Sequence, residues 1–191
     1  ITGTSSGIGL TTAVECAAKG FRVVATMRDV DRRGPLEEAC AARDVAVAVE
    51  QLDVTSASVP AKVRELVLKY GPFFGLVNNA GVACGGAFEE QSDDDVRAQF
   101  ETNVFGLMGV TRSVLPSMRA QGRGRIINVS SLSGRVGLPG VSAYASTKHA
   151  VEGFSEALRT PDSTLIFVAS DKAQEIRGDQ LACMGCLSAC Q

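Results

Sequence analysis

Tyr144 and Lys148 stand four residues apart, in a stretch whose apolar residues Ala150, Val151, Phe154, Ala157 and Leu158 recur at helical spacing. Positions i and i+4 share a helix face, so the lysine ammonium can lie beside the phenol oxygen. A free tyrosine, with a pKa of about 10, is a poor base at neutral pH. A neighbouring cation favours the phenolate and changes that. Such a pair can give a proton to a ketone oxygen or take one from an alcohol. The same pattern also occurs on solvated helix faces that do no chemistry, so the company it keeps decides.

Ser131 lies thirteen residues before Tyr144, just past the apolar run Ile126-Ile127-Asn128-Val129. A loop at the carboxyl end of a parallel strand faces the ligand crevice of an open α/β sheet. Ser130 and Ser133 lie close by and could be confused with it. At the start of the chain, Thr2-Gly3-Thr4-Ser5-Ser6-Gly7-Ile8-Gly9 opens a helical stretch. Glycines there let the backbone approach a pyrophosphate, and a helix N-terminus presents unpaired N–H groups and a partial positive charge. The spacing is G-x-x-x-G-x-G and not the usual G-x-G-x-x-G dinucleotide fingerprint. By itself the loop is also compatible with an ordinary tight turn.

The elements that must position these groups are visible as an alternation. Short apolar runs at 21–27, 45–52, 74–77 and 125–130 are rich in Val, Ile, Leu or Phe, as strands covered on both faces are. Between them, residues 11–19, 36–42, 58–70, 93–118 and 144–159 carry apolar side chains three and four apart. Strand and helix in alternation predict an α/β fold with a doubly wound parallel sheet, Rossmann-type, in a single domain. Because Ile1 runs straight into the glycine-rich turn, the expectation is a chain whose first strand is missing. Past residue 159 the pattern changes to a turn at 160–163, one candidate strand at 165–169 and a polar tail.

Composition narrows the function. With 45% hydrophobic residues in 191, there is material for one buried core. A net charge of -2 offers no basic field for a nucleic-acid backbone, so no nucleic-acid partner is expected. There is no apolar run long enough for a membrane span and no secretory leader, and the expectation is a cytoplasmic protein. Cys16, Cys40 and Cys84 are scattered singly and read as free thiols; Cys183, Cys186 and Cys190 lack the fourth ligand of a structural zinc site, so no metal is expected. The sole histidine, His149, is one step off the face shared by Tyr144 and Lys148 and reads as packing or surface.

Taken together, Thr2-Gly3-x3-Gly7-Ile8-Gly9, Asn78-Asn79-Ala80-Gly81, Asn103, Ser131 and Tyr144-x3-Lys148 are similar in order and spacing to the motifs of the short-chain dehydrogenase/reductase family. The resemblance covers residues 1–159, taken as the dinucleotide-binding and catalytic domain, with 160–191 a divergent C-terminal segment. It implies hydride transfer between a nicotinamide cofactor and an alcohol or ketone, with Tyr144 as general acid/base and Lys148 beside it. It implies that Ser131 hydrogen-bonds the substrate oxygen and that Asn103 supports a water-linked proton path to the lysine. It also implies cofactor contacts from Gly3, Ser5, Ser6, Gly7, Ile8, Gly9, Asp53, Val54, Asn79, Ala80, Gly81, Tyr144 and Lys148. For Asn103, Asp53 and the loop 78–81, purely structural roles stand as the alternative.

The cofactor's identity turns on the charge at the end of the second strand, Val24-Ala25-Thr26-Met27-Arg28-Asp29. NAD-selective relatives usually carry an acid where Met27 stands, and Arg28 can pair with a 2'-phosphate, which favours NADP(H) over NAD(H). Asp29 argues the other way, because it stands twenty residues beyond Gly9, where an acid would bond the ribose hydroxyl. The same stretch, with Gly137-Leu138-Pro139, resembles the branch acting on steroids, retinoids and related lipophilic alcohols; ketones linked to an acyl carrier are a near neighbour. The family habit implies a homodimer or homotetramer. After residue 159 no Pro-Gly pair or substrate lid follows the family pattern, which leaves room for a rival: a nucleotide-binding or interaction protein that keeps the fold without turnover.

Overall fold

The computed structural model describes residues 1–158 and the strand Ile166–Ala169. These divide into two compact units, one formed by Ile1–Asp53 and the other beginning at Val54.

In the first unit, helix α1 (Gly7–Ala18), strand β1 (Val24–Met27), helix α2 (Gly34–Ala42) and strand β2 (Ala48–Gln51) alternate. β1 and β2 pair in parallel, from Val24 with Ala48 to Met27 with Gln51. Ala13 and Val14 of α1, Ala25 and Met27 of β1, and Leu36 and Cys40 of α2 form a buried cluster with Val23. The chain start joins this sheet: Thr2 forms a parallel bridge with Thr26, and the Thr26 amide donates to the Ile1 carbonyl at 2.8 Å. The expected elements are all present: the two strands are shorter than the runs 21–27 and 45–52, while the two helices begin before residues 11 and 36, at Gly7 and Gly34.

The second unit contains helix α3 (Val59–Tyr70), strand β3 (Gly75–Asn78), helix α4 (Asp93–Phe100), helix α5 (Leu107–Ala120), strand β4 (Arg125–Val129), helix α6 (Ser142–Leu158) and strand β5 (Ile166–Ala169). The parallel sheet runs in the order β3-β4-β5. Val59, Val63 and Leu66 of α3 and Leu107, Val110, Val114 and Met118 of α5 are buried, at the three- and four-residue spacing that gives each helix one apolar side. Polar side chains cross the core as a hydrogen-bonded chain, with Asn78 Oδ1 left without a partner among the described residues. Asn78 Nδ2 donates to Thr111 Oγ1 at 2.9 Å and to Asn128 Oδ1 at 2.8 Å, and Asn128 Nδ2 donates to Ser155 Oγ at 2.9 Å.

One expectation is corrected. The stretch 93–118 is not a single regular helix, because a π-helical segment, Glu101–Gly106, separates α4 from α5. Hydrophobic spacing cannot register one extra residue in a turn, whereas such segments gather at functional sites. Gly106 closes this one. A Cβ there would lie 2.8 Å from Val54 Cγ2 and 3.0 Å from the Val54 carbonyl oxygen, so only glycine lets the helix pass.

Candidate active site

Helix α6 presents Lys148 to the carboxyl end of β4. Its Nζ donates to the Val129 carbonyl at 2.9 Å and sits 5.6 Å from the centre of the Tyr144 ring. Lys148 is 6% exposed. Burial pushes its pKa below the ordinary lysine range, and the carboxylate of Glu152 pulls it partly back. An ammonium has three donors. With one spent on Val129, two are left for a ligand among the described residues.

Asn103, on the π-helical segment, is 1% exposed and holds the loop after β3 by both faces of its amide. The Val82 N–H donates to Oδ1 at 2.8 Å, and Nδ2 donates to the Val82 carbonyl at 2.8 Å. Nδ2 also donates to Thr147 Oγ1 at 3.0 Å, and that hydroxyl donates to the Tyr144 carbonyl at 2.7 Å. One helical turn earlier, Gln99 Oε1 accepts from the Cys84 amide at 3.0 Å, so the two amides grip the same loop. A Cβ on Gly81 would lie 3.2 Å from Asn103 Oδ1 and 3.9 Å from Lys148 Nζ, which puts Gly81, Asn103 and Lys148 in one place.

Ser131 begins the short turn Leu132–Gly134 and caps it, its Oγ accepting from the Ser133 amide at 3.2 Å. A hydroxyl that accepts this bond keeps its own proton to donate. Of the rival serines, Ser133 is buried within the turn, and Ser130 Oγ is buried with no partner among the described residues. His149 is exposed, with Nδ1 2.9 Å from the Ala145 carbonyl. A surface groove lined by Val96, Phe100 and Phe105 contains none of Asn103, Ser131, Tyr144 or Lys148.

In the first unit, Gly3 and Gly7 have φ of 70° and 58°, the left-handed backbone that glycine adopts without strain. Ser6 occupies the N-cap of α1 without a side-chain capping bond, and the first turn contains no acid. Ser6, Gly7 and Ile8 are exposed while Gly9 is buried against the helix. A side-chain cap or a first-turn carboxylate would compete with a bound anion; with neither present, the donors of α1 fit a pyrophosphate. Met27 is 1% exposed, so the residue at the end of β1 points into the core, and Arg28 beside it is exposed. Asp29 spends a carboxylate oxygen on the Asp31 amide at 3.0 Å, capping the next turn. Asp53 follows β2 and is half-buried; Val54, Asn79 and Ala80 belong to the second unit and are also half-buried.

Several participants were not singled out from the sequence. Thr147 and Gln99 were findable, since each is a polar residue on a helix face already under suspicion. The Val82 backbone and the Val129 carbonyl carry no side-chain signal at all.

The family model for short chain dehydrogenases matches residues 1–164, and the chain belongs to that family. It is 47% identical over 161 residues to the uncharacterized oxidoreductase YusZ of Bacillus subtilis, covering 83% of this chain and 57% of that protein. It is 41% identical over 162 residues to retinol dehydrogenase 8 of Bos taurus, covering 83% and 52%. Among solved structures, actinorhodin polyketide ketoreductase with NADPH superposes with a TM-score of 0.78 at 36% identity, covering 83% of this chain and 62% of that one. NAD+-bound xylitol dehydrogenase superposes with a TM-score of 0.76 at 29% identity, covering 82% and 61%. The chain thus spans just over half the length of these curated relatives. Its Rossmann-type α/β architecture, with parallel sheets, is that of the family, and structures in it hold either NADP or NAD. No helix among the described residues is long and apolar enough to cross a membrane.

Proposed function

We propose that residues 1–159 form the dinucleotide-binding and catalytic part of an NAD(P)-dependent oxidoreductase acting on an alcohol or ketone, with 160–191 a divergent segment. The observation that carries this is Lys148, an ammonium buried against the Val129 carbonyl and 5.6 Å from the Tyr144 ring. When bound, the nicotinamide would supply or accept hydride at the substrate carbon. Gly3, Ser5, Ser6, Gly7, Ile8 and Gly9 would hold its pyrophosphate, with Asp53, Val54, Asn79, Ala80 and Gly81 toward the adenosine and Tyr144 and Lys148 at the reacting end.

The chain's own residues account for the proton. Tyr144 gives it to, or takes it from, the substrate oxygen, with the Lys148 ammonium beside its ring. Ser131 donates a hydrogen bond from its hydroxyl to the same oxygen. Asn103 keeps the loop 81–84 and helix α6 in register, and with them Lys148.

NADP(H) is the favoured cofactor. Met27 is turned inward and offers no acid to a ribose, Asp29 gives one carboxylate oxygen to capping, and Arg28 is exposed and able to meet a 2'-phosphate. The substrate class is a lipophilic alcohol or ketone, a reading supported by the similarity to retinol dehydrogenase 8. A cytoplasmic protein forming a homodimer or homotetramer completes the reading, and a sedimentation run showing only monomer would remove the last part.

Fluorescence titration with NADPH and NADH tests the cofactor, followed by NADPH oxidation with a steroid ketone and an aryl ketone. Binding of NADPH in preference to NADH and turnover of either ketone support the proposal; binding of neither dinucleotide overturns it.

A further inference from the structure

Glu152 stands one helical turn beyond Lys148 on α6, at the spacing that puts both on one face, and both are buried, at 7% and 6% exposed. Its Oε2 meets Arg135 Nη2 at 3.1 Å, while Oε1 is buried with no partner among the described residues. Arg135 directly follows the turn Leu132–Gly134, which Ser131 opens. Gly134 lets this turn lie against α6. A Cβ there would be 2.7 Å from Ser130 Oγ, 3.0 Å from the Lys148 carbonyl oxygen and 3.1 Å from Glu152 Cγ.

An ion pair with only one buried partner is a weak device for stability, and here Glu152 is buried while Arg135 is exposed. This one joins the two segments that bear the candidate catalytic groups. We propose that Arg135 and Glu152 are positioning residues of the active site: their ion pair fastens the Ser131 turn to the helix carrying Tyr144 and Lys148, and its two charges, opposite in sign, both act on the Lys148 ammonium. The inference rests on the reading of Tyr144 and Lys148 as the proton-transfer pair.

Among the described residues, the groups facing Lys148 are few. They are Tyr144 and Glu152 on its own helix, the Val129 carbonyl on β4, Asn103 on the π-helical segment and Gly81 in the loop after β3. Charge comes from Glu152 and, behind it, Arg135. His149 is exposed, with Nδ1 on the Ala145 carbonyl. The two charges of the pair act on Lys148 with opposite sign. Removing the carboxylate lets Lys148 release its proton at lower pH, and removing the guanidinium makes it hold the proton to higher pH.

The test follows the pH titration of Lys148 by NMR in the full chain, with lysine labelled at Cε and the resonance identified by its loss in Lys148→Met. Amide spectra check that each variant is folded. Glu152→Gln lowers the midpoint by about 0.5 pH unit or more, Arg135→Gln raises it by a similar amount, and Arg135→Lys restores it. Midpoints that stay put, or that move in the same direction in both Gln variants, overturn the proposal. If Glu152→Gln does not fold, Arg135→Gln against Arg135→Lys still decides: an unmoved midpoint in Arg135→Gln overturns it. The readout needs no turnover. A chain that reduces no ketone but shows the opposed shifts contradicts the proposed function alone; an active chain with a fixed midpoint contradicts only this inference.

Discussion

Asn103 and Thr147 are joined by a hydrogen bond of 3.0 Å that links the π-helical segment to α6 one residue before Lys148. The same asparagine amide holds the Val82 backbone by its N–H and its carbonyl. A single side chain thereby sets loop, helix and lysine relative to one another. Asn103→Leu, close in size but unable to hydrogen-bond, orphans the Val82 groups and is expected to destabilise the fold by roughly 2–4 kcal/mol. Urea denaturation at neutral pH checks it, and a loss below 1 kcal/mol would show that water replaces the amide.

Two glycines of neighbouring segments should respond oppositely to alanine. At Gly106 the new Cβ meets Val54 backbone and side chain at 3.0 and 2.8 Å, and Gly106→Ala is expected to cost more than about 2 kcal/mol. At Gly109, inside α5, a Cβ meets nothing within 4 Å, and Gly109→Ala is expected to gain about 0.5–1 kcal/mol from helix propensity. Thermal melts of both variants separate a tight crossing from a mere helical glycine.

Much of this was readable beforehand, and the reasons differ by element. Strands β1 to β4 announced themselves because parallel strands covered on both faces lie in apolar-rich runs, broken here only by single polar positions such as Thr26 and Asn128 and by the end of β2 at Glu50-Gln51. Tyr144 and Lys148 were legible because one helical turn is a fixed interval. Glu152 continues that interval and could have been noticed; Arg135 could not, since a loop residue's partner depends on how the turn folds back. The π-helical segment escaped because it changes which residues share a face by a single position. Asp29 shows a different limit: its spacing suits a ribose contact, and one of its carboxylate oxygens also caps a local turn, a use that spacing cannot distinguish.

Lys148 is held charged at a cost in stability. Its folded pKa lies below its unfolded one, so between those two values the unfolded chain binds more protons and stability rises with pH. Below the folded value the full penalty applies. Lys148→Met is therefore expected to raise Tm at neutral pH, with the gain shrinking as pH climbs toward the ordinary lysine range, while ketone reduction is lost. A Tm that falls at neutral pH would mean that the bond to Val129 outweighs the burial of charge.

Arg28 carries the cofactor preference in this account. Arg28→Ala is expected to weaken NADPH binding about tenfold, the scale of one charge-assisted contact at an exposed site, and to leave NADH binding within about twofold. Paired fluorescence titrations measure both. Equal weakening of the two dinucleotides would move Arg28 from phosphate recognition to general support of the site.

Tyr144→Phe, assayed for NADPH binding and for ketone reduction on the same preparation, tests the central claim most directly. Removing one oxygen leaves the ring and Lys148 in place. Binding within about twofold of the native chain, with turnover reduced at least ~100-fold, is the predicted result. Turnover that survives the loss of the phenol would contradict the account, because the proton would then have to come from elsewhere.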